Sequence, residues 1–389
     1  MNIKHRGLLG LTLGLAMAGA AASAVLAHGL PWPGVPGPGI PGPGIPGPWL
    51  PPPDHGKPHT SLGGPLVLED EGVFFVNGKV VTSNYASAPA TGQPDAGRIM
   101  INQMYVHYRI PRGAKKYPVV LVHGGGLTGV TYESTPDGRE GWATYFARNG
   151  HAVYVVDFPG RGRSGYDTTQ INKAKVDADV SLVPEMRRTT SESAWTSFRF
   201  GPALGQLYPG VQFPVNAADA FAGQGVPYGE VTLEGGALVQ GPQALVALLD
   251  KIGPSVLLVH SQSGPFADRV VGMRPNLVKA VINVEGNQLT IPTAQEIAAY
   301  RNTPDIEVFG DNVMGNPAST GQSRLDGRTA VANAINAAGG DATVVQLPQI
   351  GLRGNTHMLM QDKNNLKVAD FLLKWIDKKV YSKRVGWGY

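Results

Sequence analysis

Pro254-Ser255-Val256-Leu257-Leu258-Val259-His260-Ser261-Gln262-Ser263-Gly264-Pro265 is the stretch whose reading decides the fold. Ser255 to Val259 is a short apolar run that predicts a buried strand. Ser263-Gly264 predicts a sharp turn, and Pro265 suits the first turn of a helix, where its missing N–H is not needed. A strand, a tight elbow and a helix in that order push the side chain at the turn out above the sheet, free of neighbours, and a nucleophile is exposed in this way. Ser261 is placed for that role. The small residues expected two positions to either side are only half present, with Val259 before Ser261 and Ser263 after it. Ser263 is a rival nucleophile. Choosing it would carry the strand through two more polar residues and put Pro265 where a small residue is required.

A serine hydroxyl is a weak nucleophile until an imidazole takes its proton, and the imidazole needs a carboxylate to fix its tautomer. Of nine histidines, His357 alone lies in a polar loop after the last predicted strand and before the final helix. Two strand ends offer the acid. Glu285 follows the predicted strand Val278 to Val284, and Asp311 follows Asp305 to Phe309. Both turns open on one face of the sheet, and the longer glutamate can span the extra strand spacing of about 5 Å. The plainer reading of Asp311 is a turn residue that bonds its own backbone beside Asn312.

Upstream, residues 72–83 place Asn77-Gly78 between two β-rich runs, which predicts a two-residue hairpin. Strands follow at Gln103 to Ile110 and Tyr117 to Val122, and the second runs into His123-Gly124-Gly125-Gly126-Leu127-Thr128-Gly129. This loop lacks the endings of a phosphate cradle. Its glycines suit an oxyanion loop, letting the backbone come close to a substrate and turn an N–H toward it. His123 reads as a residue that fixes the loop. A helix at Gly141 to Asn149 leads to the buried strand Ala152 to Val156, and Asp157 and Arg161 beyond it read as loop-holding residues. Residues 166–240 lose the strand–helix rhythm and are too long for a structureless connection, which predicts an inserted cap. Trp195, Phe198, Phe200, Tyr208, Phe213, Phe221 and Tyr228 give the cap an aromatic side that would wall an acyl pocket or pack the cap on the core. Helices at Gln243 to Ile252, Thr293 to Tyr300, Arg328 to Ala338 and Leu366 to Lys379 alternate with the later strands, the last of them Thr343 to Leu347. The class is α/β, a mostly parallel sheet with helices on both faces and functional groups at the carboxyl ends of the strands.

Residues 1–27 carry Lys4 and Arg6 ahead of a Leu/Gly/Ala run with small-residue cleavage sites, which predicts a secretory signal peptide and a secreted or periplasmic product without stable membrane insertion. Residues 28–60 repeat a Pro-Gly-rich unit that removes donors and raises the entropy cost of ordering, so they read as a linker, leaving 61–389 as the catalytic domain. The chain contains no cysteine. This excludes disulfides, thiolate metal sites and a cysteine lipid anchor. A formal charge of +4, reduced once Lys4 and Arg6 leave with the leader, is no nucleic-acid footprint.

Five stretches resemble a small group of bacterial exported serine esterases within the α/β-hydrolase superfamily. They are residues 123–129 (HGGGLTG), the turn from Asp157 to Ser164, HSQSG at 260–264, VEG at 284–286, and GNTHMLMQDKNNLKVAD at 354–370. The resemblance spans roughly residues 64–379. It implies an α/β-hydrolase fold, Ser261 as nucleophile, His357 as base and Glu285 as acid, with oxyanion N–H groups from Gly125 and Gly126 after His123 and from Gln262. No metal or cofactor and a small-molecule ester substrate are implied with it. The chain departs where the family has two cysteines, at Gly125 and Gly126. An amidase or peptidase would use the same residues, and a non-catalytic surface protein is a third reading.

Overall fold

The computed structural model of the protein describes residues 65–87, 95–288, 291–314, 316 and 320–382. The leader and the Pro-Gly segment lie outside them. One sheet holds eight strands in the order β1-β2-β4-β3-β5-β6-β7-β8. They are β1 Leu68–Ser87, β2 Asp95–Pro111, β3 Val119–Val122, β4 Val153–Asp157, β5 Ser255–His260, β6 Val278–Val284, β7 Asp305–Phe309 and β8 Ala342–Gln346. The first two run antiparallel, and every later pairing is parallel. The chain crosses from β4 back past β3 to β5, so the crevice at the carboxyl ends of β3 and β5 is the switch point at which such sheets bind ligands.

The described helices are α1 Val130–Glu133, α2 Trp142–Arg148, α3 Thr169–Asp177, α4 Ser191–Ser197, α5 Ala218–Gly223, α6 Ala237–Ile252, α7 Gly264–Met273, α8 Ala294–Ala299, α9 Gly321–Ala337 and α10 Asn365–Ile376. Central strands alternate their side chains between two cores. Val119 and Leu121 pack with Trp142, Phe146, Leu372 and Ile376 of α2 and α10. Val120 and Val122 face Leu245 and Leu249 of α6 and Phe266 and Val270 of α7. Each such buried side chain contributes roughly 1.5–3 kcal/mol, which makes the sheet the stable frame on which the site loops rest.

Several expectations are corrected: the strand expected from Gln103 starts at Asp95 and the helix expected from Arg328 starts at Gly321, and two further differences have an evident physical cause. Asn77-Gly78 does not turn a hairpin. The residues have left-handed φ of 60° and 98°, as a turn requires, yet they lie inside the continuous strand β1, opposite Asn102, whose φ is 61°. Asn77 Nδ2 donates to Asn102 O at 2.9 Å. The partner of residues 72–83 is β2 along its whole length, so the pair distorts the ribbon without ending it. The helix predicted from Gln243 starts at Ala237, with Pro242 inside it. Proline cannot donate to Leu238 O, and Arg269 Nη1 supplies that bond at 2.7 Å, which removes part of the cost of a proline there.

Between β4 and α6 the chain forms α3, α4, α5 and short 3-10 turns. Trp195, Phe200, Phe213 and Phe221 of this insertion are buried in the core shared with α2 and α10. Phe200 and Phe213 stack at 3.7 Å, and Phe221 meets both edge-on. Of the two uses open to the aromatic residues, these four serve packing.

Candidate active site

Ser261 follows the last residue of β5 with φ of 53°, a left-handed conformation that costs a non-glycine residue of order 1 kcal/mol or more and persists only where the surroundings enforce it. The elbow is held from three sides. Ser263 Oγ accepts from His260 N at 2.9 Å and donates toward Val122 O at 3.1 Å. Asn287 N donates to Ser261 O at 2.8 Å. The rival serine is thus a fully buried brace, and Ser261 is 7% exposed.

The glycine loop after β3 sits against this elbow. A Cβ on Gly124 would stand 2.9 Å from Ser261 Cβ, and one on Gly125 would stand 2.9 Å from Gln262 Oε1. Gly126 has φ of 70°, and a side chain there would strike Thr189 and Tyr228 of the insertion. Gln262 lies in the first turn after the elbow, where backbone N–H groups have no upstream carbonyl. His123 is buried and braces the loop. Its Nδ1–H donates to Gly124 O at 2.9 Å, and its Nε2 accepts from Phe158 N at 3.2 Å. Burial lowers its pKa to about 4, so it stays neutral. Asp157 accepts from Gly129 N and Arg163 N, both at 2.8 Å. Arg161 pairs with Glu230 of the insertion and donates to Gln262 Oε1 at 3.1 Å. Both residues hold loops.

Glu285, Asp311 and His357 come from three strand ends. Glu285 follows β6 with φ of 52° and is fully buried. Its Oε2 accepts from His357 Nδ1 at 3.2 Å, while Oε1 accepts from Gly310 N at 2.7 Å and pairs with Arg199. Burial pushes this carboxyl up, but the Arg199 guanidinium and the bond to His357 outweigh it and hold it well below the usual carboxylate range. Asp311 does not bond its own backbone. Its Oδ2 accepts from Asn355 N at 3.0 Å and its N–H donates to Asn355 O at 2.7 Å, strapping the loop that carries His357. Glu285 therefore reaches the imidazole, and Asp311 reaches the loop.

Four contributors were not legible as such. His260, quoted within the elbow, donates through Nε2 to His357 O at 3.0 Å, and burial lowers its pKa to about 4. Phe198 O accepts from His357 N at 2.9 Å, and the Phe198 ring stacks on the imidazole with centroids 5.2 Å apart. Arg199, with φ of 62°, neutralises Glu285. Arg324 of α9 is partly buried, and its Nη1 lies 3.0 Å from His357 Nε2, 3.2 Å from Nδ1 and 3.5 Å from Ser261 Oγ. A nitrogen nearly equidistant from both ring nitrogens lies against the face or the Cε1 edge of the imidazole and not along the lone pair of Nε2, so the guanidinium meets the ring as a charge beside it, next to the serine hydroxyl. Burial first, then the Arg324 cation, drives the His357 pKa well below its usual value. A local signal exists for His260 alone. Beside the glycine loop, Tyr228 also lines a cavity of about 670 Å³ with Arg188, Thr189 and Ser193. Among the described residues no group of His, Asp and Glu side chains is arranged to hold a metal ion.

A mostly parallel sheet in this strand order, with a serine elbow after β5 and a histidine loop after β8, defines an α/β-hydrolase. No family model matches the chain. A solved bacterial esterase is similar to it with a TM-score of 0.76 and 39% identity, over 82% of this chain and 98% of that one. A probable secreted lipase, phiG, from Fungal sp. is 27% identical over 324 residues, which is 71% of this chain and 86% of that protein. The chain belongs to the family of that bacterial esterase.

Proposed function

We propose that the protein is a secreted serine hydrolase of carboxylic esters that works through an acyl-enzyme. One observation carries the reading. The imidazole of His357 and the hydroxyl of Ser261 adjoin the same small space, because a single Arg324 nitrogen lies 3.0 Å from Nε2 of the one and 3.5 Å from Oγ of the other, while Glu285 holds Nδ1. In this mechanism Ser261 Oγ attacks the ester carbonyl as its proton passes to His357 Nε2. Glu285 keeps Nδ1 protonated and stabilises the imidazolium. Backbone N–H groups of Gly125, Gly126 and Gln262 receive the oxyanion. Collapse expels the alcohol with the proton from His357, and water repeats the sequence on the acyl-serine. The mature chain carries the linker 28–60 ahead of the catalytic domain 61–389, with about 166–240 as cap, and the likeness to an esterase and a lipase supports an ester over an amide as substrate.

The test is a set of four variants assayed on an aryl ester. Ser261→Ala is expected to lose turnover by several orders of magnitude and all labelling by a phosphonate. Ser263→Ala is expected to keep phosphonate labelling and to melt at lower temperature. Glu285→Gln should cut kcat steeply, since a neutral amide can hold the wrong tautomer. Asp311→Asn should change kcat by less than about tenfold. Turnover surviving in Ser261→Ala would overturn the reading, and the reverse ranking of the last two variants would move the acid to Asp311.

A further inference from the structure

Arg324 is the charged group at the site that acyl-enzyme chemistry leaves unused. Among the described residues, every hydrogen bond of its side chain goes to Ser261 or His357. Its Nε is buried without a partner. No carboxylate of the described residues forms a salt bridge with it, because Glu285 is taken by Arg199 and His357. Two guanidinium groups thus stand about one carboxylate. The excess cation also occupies the wrong place for a resting base. Its Nη1 stands 3.0 Å from Nε2, 3.2 Å from Nδ1 and 3.5 Å from Ser261 Oγ, crowding the path of the serine proton, and a positive charge beside the ring opposes formation of the imidazolium. Turnover is favoured when the cation leaves the imidazole and is neutralised.

A substrate carboxylate meets both conditions. It draws the guanidinium into a charge-assisted pair of known fork geometry and takes it off the imidazole as it does so. The position selects the side of the ester, since Nε2 is the atom from which the departing alcohol collects its proton. We propose that this enzyme selects esters whose alcohol portion carries a carboxylate, and that Arg324 is the residue that reads it. The inference rests on the acyl-enzyme reading at Ser261. In the complex, Arg324 pairs with the substrate anion, the space between Ser261 Oγ and the imidazole is cleared, and the excess charge of the site is cancelled by the substrate itself.

The experiment compares kcat/KM on matched isosteric pairs. One pair is meta-butyryloxybenzoate against meta-butyryloxybenzamide, with the charge on the alcohol portion. The other is the monophenyl ester of glutaric acid against that of glutaramic acid, with the charge on the acyl portion. The wild-type enzyme is expected to prefer the benzoate to the benzamide by about tenfold or more, the size of one charge-assisted hydrogen bond. Arg324→Gln should lose most of that ratio, and Arg324→Lys should keep part of it. A ratio near one in the wild type, a ratio unchanged in Arg324→Gln, or a preference confined to the glutarate pair would overturn the inference. Stoichiometric phosphonate labelling checks that each variant is folded at the elbow. Turnover that persists in Ser261→Ala overturns the acyl-enzyme reading itself, whereas Ser261-dependent turnover with no charge preference overturns the selection by Arg324 alone.

Discussion

Removing the guanidinium of Arg199 would leave the Glu285 carboxylate in a water-excluded site with its charge unmatched. Breaking such a buried pair costs roughly 3–5 kcal/mol, so Arg199→Met is expected to melt well below the wild type and to lose much of its kcat. The pH dependence has a definite sign. Glu285 is depressed in the folded state, so its contribution is complete above the ordinary glutamate value of 4.5 and is lost as pH falls below it. The difference in Tm between wild type and Arg199→Met should therefore shrink as pH falls from about 5 toward 3; a constant difference would separate Arg199 from the ionisation of Glu285. His357 titrates in the opposite sense. Burial and the Arg324 cation hold it neutral well below its usual 6.5, so the acid limb of kcat/KM lies below that value. In Arg324→Gln that limb should move upward, and a pH profile on a neutral ester measures the shift.

Among the elements, the turn after β7 has the narrowest tolerance. A Cβ on Gly310 would stand 2.5 Å from Asn355 O, while its N–H serves Glu285. Gly310→Ala should displace the His357 loop and cost kcat more than it costs Tm, measured by initial rates beside thermal melts. The parallel strands and the elbow were legible because each is a continuous apolar run ending in a polar turn, a pattern set within a few neighbours. Ser261, Glu285 and Asp311 stand where such runs end and were therefore candidates, while the choice of Glu285 over Asp311 rested on the family resemblance. The β1–β2 ribbon misled because Asn-Gly accepts left-handed φ in a turn and in a distorted strand alike, and only the partner strand decides between them. The start of α6 misled because the bond that rescues Pro242 comes from Arg269, on another helix.

For the whole molecule, every residue of the proposed site lies between Gly125 and His357, within the described part of the chain. Deleting residues 28–60 should leave kcat/KM on a soluble ester unchanged, and a large loss with circular dichroism intact would tie that segment to the site. What sequence did not give was the partnership between the insertion and the loop that carries His357. Phe198 meets His357 and Arg199 meets Glu285 across 159 and 86 positions of chain, through packing that no local pattern encodes. That partnership determines what kind of cap this is. A lid that swings away to admit substrate would take with it the carbonyl holding His357 N and the counter-charge of Glu285. Entry and catalysis would then exclude each other in time. Substrate has to enter past side chains that move independently of Phe198 and Arg199, and a proteolytic nick that loosened those two residues would silence the enzyme rather than broaden what it accepts.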